Sequence, residues 1–301
     1  MKEKAASRLI STDRGRATLS AVSKLVLRAR EIVEGTIVGQ HRSPYHGFSA
    51  QFRQHREYAP GDDLRYLDWK VFGRTDRFFL KQYEQETNFI GHILLDLSES
   101  MRYGSVEGNE KAEYAKLLAA ALAYLILAQR DAVAVGVFAD RLVEYVPPST
   151  SAAHLHHICH VFETTPPAEK TDLGEILASF ASRLRRRGVV IVISDFFDDL
   201  DRILAGLQYL KFNRHDLILF QILDEFELTF PFRGLIRFDG MEGEGVFRTQ
   251  PERVRQNYRE LFERFRHDLQ VGCQRMEIDL QQIFTTRPVG AALREYLARR
   301  R

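Results

Sequence analysis

Four apolar segments rich in β-branched residues alternate with helical patterns along the middle of this chain. They constrain the fold more than any other feature of the sequence, and they cover residues 90–95, 133–138, 189–193 and 217–223. Strands that are buried on both faces are continuously apolar, and strands that alternate with helices are typical of βαβ units. We therefore predict an α/β fold with a doubly wound, mostly parallel sheet.

The sequence on either side of these segments predicts additions to the sheet. Residues 1–16 are polar and are expected to be irregular, whereas apolar residues at helical spacing predict a helix over 17–34. We divide the chain into an N-terminal helix and loop segment, 1–88, packed on an α/β domain, 89–301. Short glycine-containing stretches predict a small antiparallel β appendage at about 224–250.

Composition excludes several classes of protein. Lys and Arg total 43 against 41 Asp and Glu, and this net charge of +2 is low for a general nucleic-acid binder. The two cysteines suit a reducing compartment. No signal peptide is visible, and no apolar stretch approaches the roughly 20 residues of a membrane span. We therefore expect a cytoplasmic protein with no membrane span and no nucleic-acid partner.

Oxygen-bearing side chains follow two of the predicted strands. Asp96, Ser98 and Ser100 come after the first apolar segment, Asp195 ends the third, and Thr171 opens a helix between them. Because ligands of open α/β sheets bind beyond the carboxyl ends of the strands, these residues are the candidate site. Helix capping by the same side chains is the alternative, for Thr171 above all.

The chemistry of these side chains indicates a hard cation. Carboxylate and hydroxyl oxygens suit Mg²⁺, with Mn²⁺ or Ca²⁺ as alternatives, and the lack of His or Cys argues against Zn²⁺. With only two acids the predicted site is coordinatively incomplete. An acidic side chain of a partner protein can fill the open position.

The sequence 96–101, Asp-Leu-Ser-Glu-Ser-Met, resembles the metal-ion-dependent adhesion site of von Willebrand factor type A domains. That resemblance implies a von Willebrand factor A-like core in which Thr171 and Asp195 are the later elements of the metal site. The usual Thr-Asp-Gly of such domains is replaced here by Ser194, Asp195 and Phe196. Loss of the glycine leaves the Asp195 ligand in place but predicts a changed loop.

A second resemblance is narrower and covers about residues 30–300. The stretches 42–49, 57–65, 68–70 and 81–84 resemble the bacterial domain-of-unknown-function family fifty-eight, which joins such a segment to a type A core. Members are often encoded beside MoxR-type AAA+ ATPases. The resemblance therefore implies an adaptor or co-chaperone for such an ATPase or for its client.

The segment between residues 58 and 81 mixes acidic, basic and aromatic side chains. These charges either pair with one another and fix the segment against the core, or they form a surface for a partner. The candidate partner contacts are Asp62, Asp63, Arg65 and Trp69, together with Glu99 of the metal motif.

Taken together, the residues and the resemblances predict a metal-dependent protein-binding module and not an enzyme. Two alternatives stay open. One is a metal-dependent hydrolase that uses the same strand-end residues, although no Walker loop and no Gly-x-Ser-x-Gly motif is present. The other is a scaffold with a degenerate site that holds no metal.

Overall fold

The computed structural model describes residues 2–37, 49–57, 69–75, 77–86, 90–106, 108–166, 172–239 and 246–299. The chain divides into two compact units. One comprises residues 1–41 and 90–301, and the other comprises residues 42–89. The candidate metal residues at the sheet edge, as far as they are described, belong to the first unit.

In the described part of the first unit, six strands form one sheet in the order β10-β7-β6-β3-β4-β5. Neighbouring strands run parallel except for β5, which pairs antiparallel with β4 at one edge. The strands are β3 (Ile90–Asp96), β4 (Ala132–Phe138), β5 (Leu142–Ser149), β6 (Val189–Ser194), β7 (Asp216–Leu223) and β10 (Asp279–Phe284). The prediction of a mostly parallel α/β sheet is confirmed.

Helices cover both faces of this sheet. On one face α3 (Lys111–Ala128) lies against the central strands and is itself covered by α1 (Lys2–Ile37), α4 (His154–Thr164) and α9 (Val289–Arg299). On the other face lie α5 (Leu173–Arg183), α6 (Leu200–Phe212) and α8 (Pro251–Arg275). Because α3 lies between the sheet and three helices, most of its circumference is buried, which explains why its sequence is apolar nearly all round.

Close packing of α5 on α6 positions the loop that follows β6. The two helices approach each other at Gly174 and Gly206, where an added Cβ on Gly174 would lie 2.7 Å from the carbonyl oxygen of Arg202. That separation is too short for a backbone contact. The helices can therefore sit at this distance only because both positions lack a side chain.

We expect Gly174→Ala to lower the free energy of unfolding by about 1–3 kcal/mol, because the new methyl group must displace the α6 backbone. Urea denaturation measures the change. Gly35→Ala is the matched control, since nothing lies within 4 Å of a Cβ there. Equal stability of Gly174→Ala and the wild type would contradict this account of the helix pair.

Several elements differ from the sequence-based expectation. The prediction of an irregular stretch over residues 1–16 is wrong, because α1 begins at Lys2. Those residues include good helix formers, but they show no apolar periodicity.

Two strands were not predicted, β5 and β1 (Ser49–Glu57). β5 lies at an edge of the sheet and contains Pro147 and Pro148, and such strands lack the apolar pattern of central ones.

The second unit contains an antiparallel pair, β1 with β2 (Phe79–Glu86), and the short helix α2 (Trp69–Thr75).

In the first unit, α7 (Glu225–Thr229) precedes a hairpin of β8 (Ile236–Asp239) and β9 (Val246–Thr249). This hairpin is the predicted antiparallel appendage. None of the helices in the described ranges has the length and apolar character needed to cross a bilayer.

Candidate functional site

The candidate site lies where two central strands end side by side. β3 and β6 are parallel neighbours with Leu95 opposite Ile193, so Asp96 and Ser194 end their strands next to each other. Asp195 follows one residue later. Sheet pairing therefore brings together side chains that are about a hundred residues apart in the chain.

Asp96 organises the loop that follows β3. Its Oδ1 accepts a hydrogen bond of 2.8 Å from the backbone N–H of Ser98, and its Oδ2 accepts one of 2.5 Å from the hydroxyl of Ser194. The curled loop places the Oγ atoms of Ser98 and Ser100 3.1 Å apart. Asp96 and Ser98 are only 2% and 1% exposed, so these oxygens form a recessed cluster.

Burial disfavours the charged form of the Asp96 carboxyl. Desolvation, and secondly the charge of Asp195, raise the pKa of the Asp96 carboxyl from 3.8 to about 7, although hydrogen bonds from Ser194 and Ser98 act in the opposite direction. The negative charge at this position is thus only partly compensated by its described neighbours. A cation bound beside it would supply the missing compensation.

Asp195 has a different environment, because a buried lysine holds it. The ammonium of Lys111 donates to Asp195 Oδ2 at 2.7 Å and to Glu227 Oε1 at 2.6 Å. The Lys111 side chain is 1% exposed, and its Nζ lies 5.0 Å from the centre of the Phe197 ring. The two acids together raise the pKa of Lys111 even though burial acts to lower it, so the lysine is charged.

The ion pair extends to the loops around it. Glu227 Oε2 accepts from the backbone N–H of Asp224 at 2.8 Å, which closes a capping box at the start of α7. Asp224 Oδ2 in turn accepts from both the N–H and the hydroxyl of Ser105, each at 2.9 Å. The loops after β3, β6 and β7 are thereby joined through polar contacts.

The loop after β6 keeps a shape that favours glycine although no glycine is present. Phe196 has φ 61°, in the left-handed region, and its side chain is 0% exposed. Burial of the aromatic ring offsets the backbone strain. The turn directly after Asp195 is therefore left-handed although residue 196 is phenylalanine.

The structure brings together three of the five predicted metal residues, Asp96, Ser98 and Ser100. Asp195 lies beside them but is paired with Lys111. Glu99 lies within the same loop, where its Oε1 accepts from Arg102 at 2.6 Å. Thr171, Asp62, Asp63 and Arg65 lie outside the described residues, and Trp69 begins α2 without a described side chain.

Sequence reasoning missed Lys111 and Glu227. One signal was available for Lys111, since it is a lysine in the first turn of a helix that is mostly apolar. A cation is disfavoured there by the helix dipole, so a buried lysine at that position requires acidic partners. No comparable signal marks Glu227, which lies 116 residues further along the chain.

The donor atoms fit a hard cation in part. The available oxygens are one carboxylate and two adjacent hydroxyls, and the buried Oε2 of Glu99 has no hydrogen-bond partner among the described residues. In the described ranges, no group of three or more His, Cys, Asp or Glu is arranged to hold a metal. A cation here would therefore be held by Asp96, Ser98 and Ser100, of which only Asp96 supplies a carboxylate.

Comparison with solved structures gives weak similarities. A variant, with multiple mutations to serines, of an aerotolerance-related membrane protein from Bacteroides fragilis is 15% identical, with a TM-score of 0.47. BatB from Bacteroides thetaiotaomicron, a conserved hypothetical protein, is 16% identical, with a TM-score of 0.43. Each match covers 70% of this chain and 98% of the other. These TM-scores are too low to support any statement about the site.

Sequence comparison is more informative. Uncharacterized proteins of Mycobacterium bovis (Mb1516) and Mycobacterium tuberculosis (Rv1480) are each 26% identical over 217 residues, which is 70% of this chain and 67% of the relative. The family described as "Protein of unknown function DUF58" matches residues 54–268. This match covers well over half of the chain, and the chain therefore belongs to the DUF58 family.

Proposed function

We propose that this protein is a protein-binding module whose contact with its partner depends on a divalent cation, preferably Mg²⁺, held by Asp96, Ser98 and Ser100. When bound, the cation supplies an open coordination position for an acidic side chain of the partner. The chain's own residues orient the donor oxygens and keep them in a recessed, partly dehydrated position.

One observation carries this proposal: the hydroxyls of Ser98 and Ser100 converge next to a buried carboxylate that lacks full charge compensation. For Ser98, the alternative of helix capping receives no support from the contacts. Ser98 occupies the N-cap position of the short 3-10 helix Glu99–Arg102 but makes no side-chain capping hydrogen bond. Its hydroxyl is paired with that of Ser100 instead.

A cleft of about 390 Å³ gives a partner access to this cluster. Ser98 lines it together with Arg102, Glu113 and Lys116. Lys116 is bound to Glu113 at 2.7 Å, and Arg102 to Glu99 at 2.6 Å. The cleft is thus bordered by paired charges that can exchange partners, which suits the docking of a polar protein surface.

The partner class follows from the family resemblance. Because relatives of this kind are often encoded beside MoxR-type AAA+ ATPases, we propose that the partner is such an ATPase or its client. The adaptor or co-chaperone role stays a proposal with it.

A pull-down with tagged full-length protein tests the proposal, with the co-encoded MoxR-type ATPase as the candidate partner. We expect binding in Mg²⁺, loss of binding in excess chelator, and loss of binding with Asp96→Ala. Asp216→Ala is the control, because Asp216 is a half-exposed acid paired with Arg187 at the start of β7, at the opposite edge of the sheet. Binding that persists both in chelator and with Asp96→Ala would overturn the metal-dependent contact.

A further inference from the structure

We propose that Lys111 is an internal counter-cation that withdraws Asp195 from the metal site, and so sets both the affinity and the ion preference of that site. This inference rests on the proposed function, since it concerns the same cation. It assigns to Lys111 a positioning role, because the lysine acts through Asp195 and does not touch the cation.

Lys111 lies between two acidic side chains and contacts both. Lys111 extends from the first turn of α3 and reaches two carboxylates, that of Asp195 in the loop after β6 at 2.7 Å and that of Glu227 in α7 at 2.6 Å. The side-chain exposures are 1%, 3% and 12% for Lys111, Asp195 and Glu227 respectively. A lysine that is this deeply buried has little freedom to leave, so Oδ2 of Asp195 is occupied.

The remaining oxygens of Asp195 are also in use. Oδ1 accepts from the backbone N–H of Phe197 at 3.1 Å, and the main-chain oxygen accepts from the side chain of Gln221 at 3.0 Å. The carboxylate is therefore held in one orientation, by Lys111 on one oxygen and by the loop on the other. A cation beside Ser98 and Ser100 would have to compete with these contacts to recruit it.

Lys111 also changes the balance of charge at this edge of the sheet. Four buried or half-buried ionisable groups meet at this edge, namely Asp96, Asp195, Glu227 and Lys111. Lys111 neutralises part of the field from Asp195 and Glu227, and it leaves Asp96, whose hydrogen-bond donors Ser98 and Ser194 are neutral, as the carboxylate without a cationic partner. Unit charges at such separations interact strongly when water is excluded, so Lys111 must weaken cation binding compared with the same site without it.

The small number of oxygen ligands at the site determines which cation it prefers. Mg²⁺ is usually held by one or two carboxylates and keeps several waters, whereas Ca²⁺ takes six to eight oxygen ligands. A site with two hydroxyls and one carboxylate that lacks a cationic partner suits the first ion better than the second. With Asp195 restrained, the site therefore favours Mg²⁺ over Ca²⁺. Release of Asp195 should bring the affinities for the two ions closer together.

The experiment compares the wild type with Lys111→Met/Glu227→Gln by titration calorimetry with Mg²⁺ and with Ca²⁺. The double substitution removes one positive and one negative charge, so the local net charge does not change, while Asp195 becomes free. We expect Mg²⁺ to bind about tenfold tighter or more, and Ca²⁺ to gain more than Mg²⁺. Lys211→Met is the control, because Lys211 is on α6 and its ammonium bonds the carbonyl of Glu277.

A second pair of variants covers the case in which the double variant does not fold. If Lys111 restrains Asp195, then Asp195→Asn should weaken Mg²⁺ binding several-fold less than Asp96→Asn. Equal losses in these two variants, or an unchanged Mg²⁺ affinity in a folded double variant, would overturn the role of Lys111 and leave the proposed cation site intact. A purely structural role for Lys111 would shift thermal stability without any of these changes in ion affinity.

The outcomes also separate this inference from the proposed function. Binding of Mg²⁺ by the double variant but not by the wild type would support the role of Lys111 and overturn the cation-dependent function of the natural chain. Absence of Mg²⁺ binding in every folded variant would overturn both.

Discussion

Lys111→Met alone is expected to lower the free energy of unfolding by about 3–5 kcal/mol, because it leaves the carboxylates of Asp195 and Glu227 buried without their cation. Urea denaturation at neutral pH measures the loss. The substituted side chain has a similar length and is apolar, so the loss of charge, and not the loss of packing volume, dominates the effect.

Glu227→Gln in the Lys111→Met background should recover part of this loss, since only one buried carboxylate then lacks a partner. Together with the Glu227→Gln single variant, the four stabilities give the coupling energy of the pair in a double-mutant cycle. Lys211→Met, on an exposed part of α6, should change stability by less than about 0.5 kcal/mol. A Lys111→Met protein with the stability of the wild type would show that the buried ion pair does not hold the three loops together.

Asp96→Asn is expected to weaken Mg²⁺ binding by about 100-fold or more, beyond the 10–100-fold typical of the partners that merely orient metal ligands. Asn keeps the size of the side chain and an oxygen that can accept from the N–H of Ser98. The structure of the loop should therefore persist while the charge that attracts the cation is removed. Titration calorimetry with Mg²⁺ measures the affinity.

The same variant should fold as well as the wild type in the absence of metal, because the pKa of the Asp96 carboxyl, raised to about 7 chiefly by burial, shows that its charge is unfavourable there. Asp216→Asn is the matched control, with the same chemical change on a half-exposed side chain at the opposite edge of the sheet. Undiminished Mg²⁺ affinity in Asp96→Asn would contradict the assignment of this residue to the cation site.

Much of the fold follows from local sequence patterns. Strands β3, β4, β6 and β7 are continuously apolar because both of their faces are covered, so periodicity and length suffice to recognise them. The position of Asp96 directly after such a strand then places it at the carboxyl edge of the sheet. β1 and β5 escaped prediction because an edge strand needs no continuous apolar pattern.

Local sequence patterns therefore suffice to predict the four central strands, and the strand ends at which Asp96, Ser98, Ser100 and Asp195 lie. The pairing of Asp195 with Lys111, which comes 84 residues earlier, and the contact of Glu227 with the same lysine become visible only in the folded protein. The physical reason is that hydrophobic periodicity is encoded locally, along each element. The partner of a buried charge, in contrast, is set by which loops the folded sheet brings within hydrogen-bond distance.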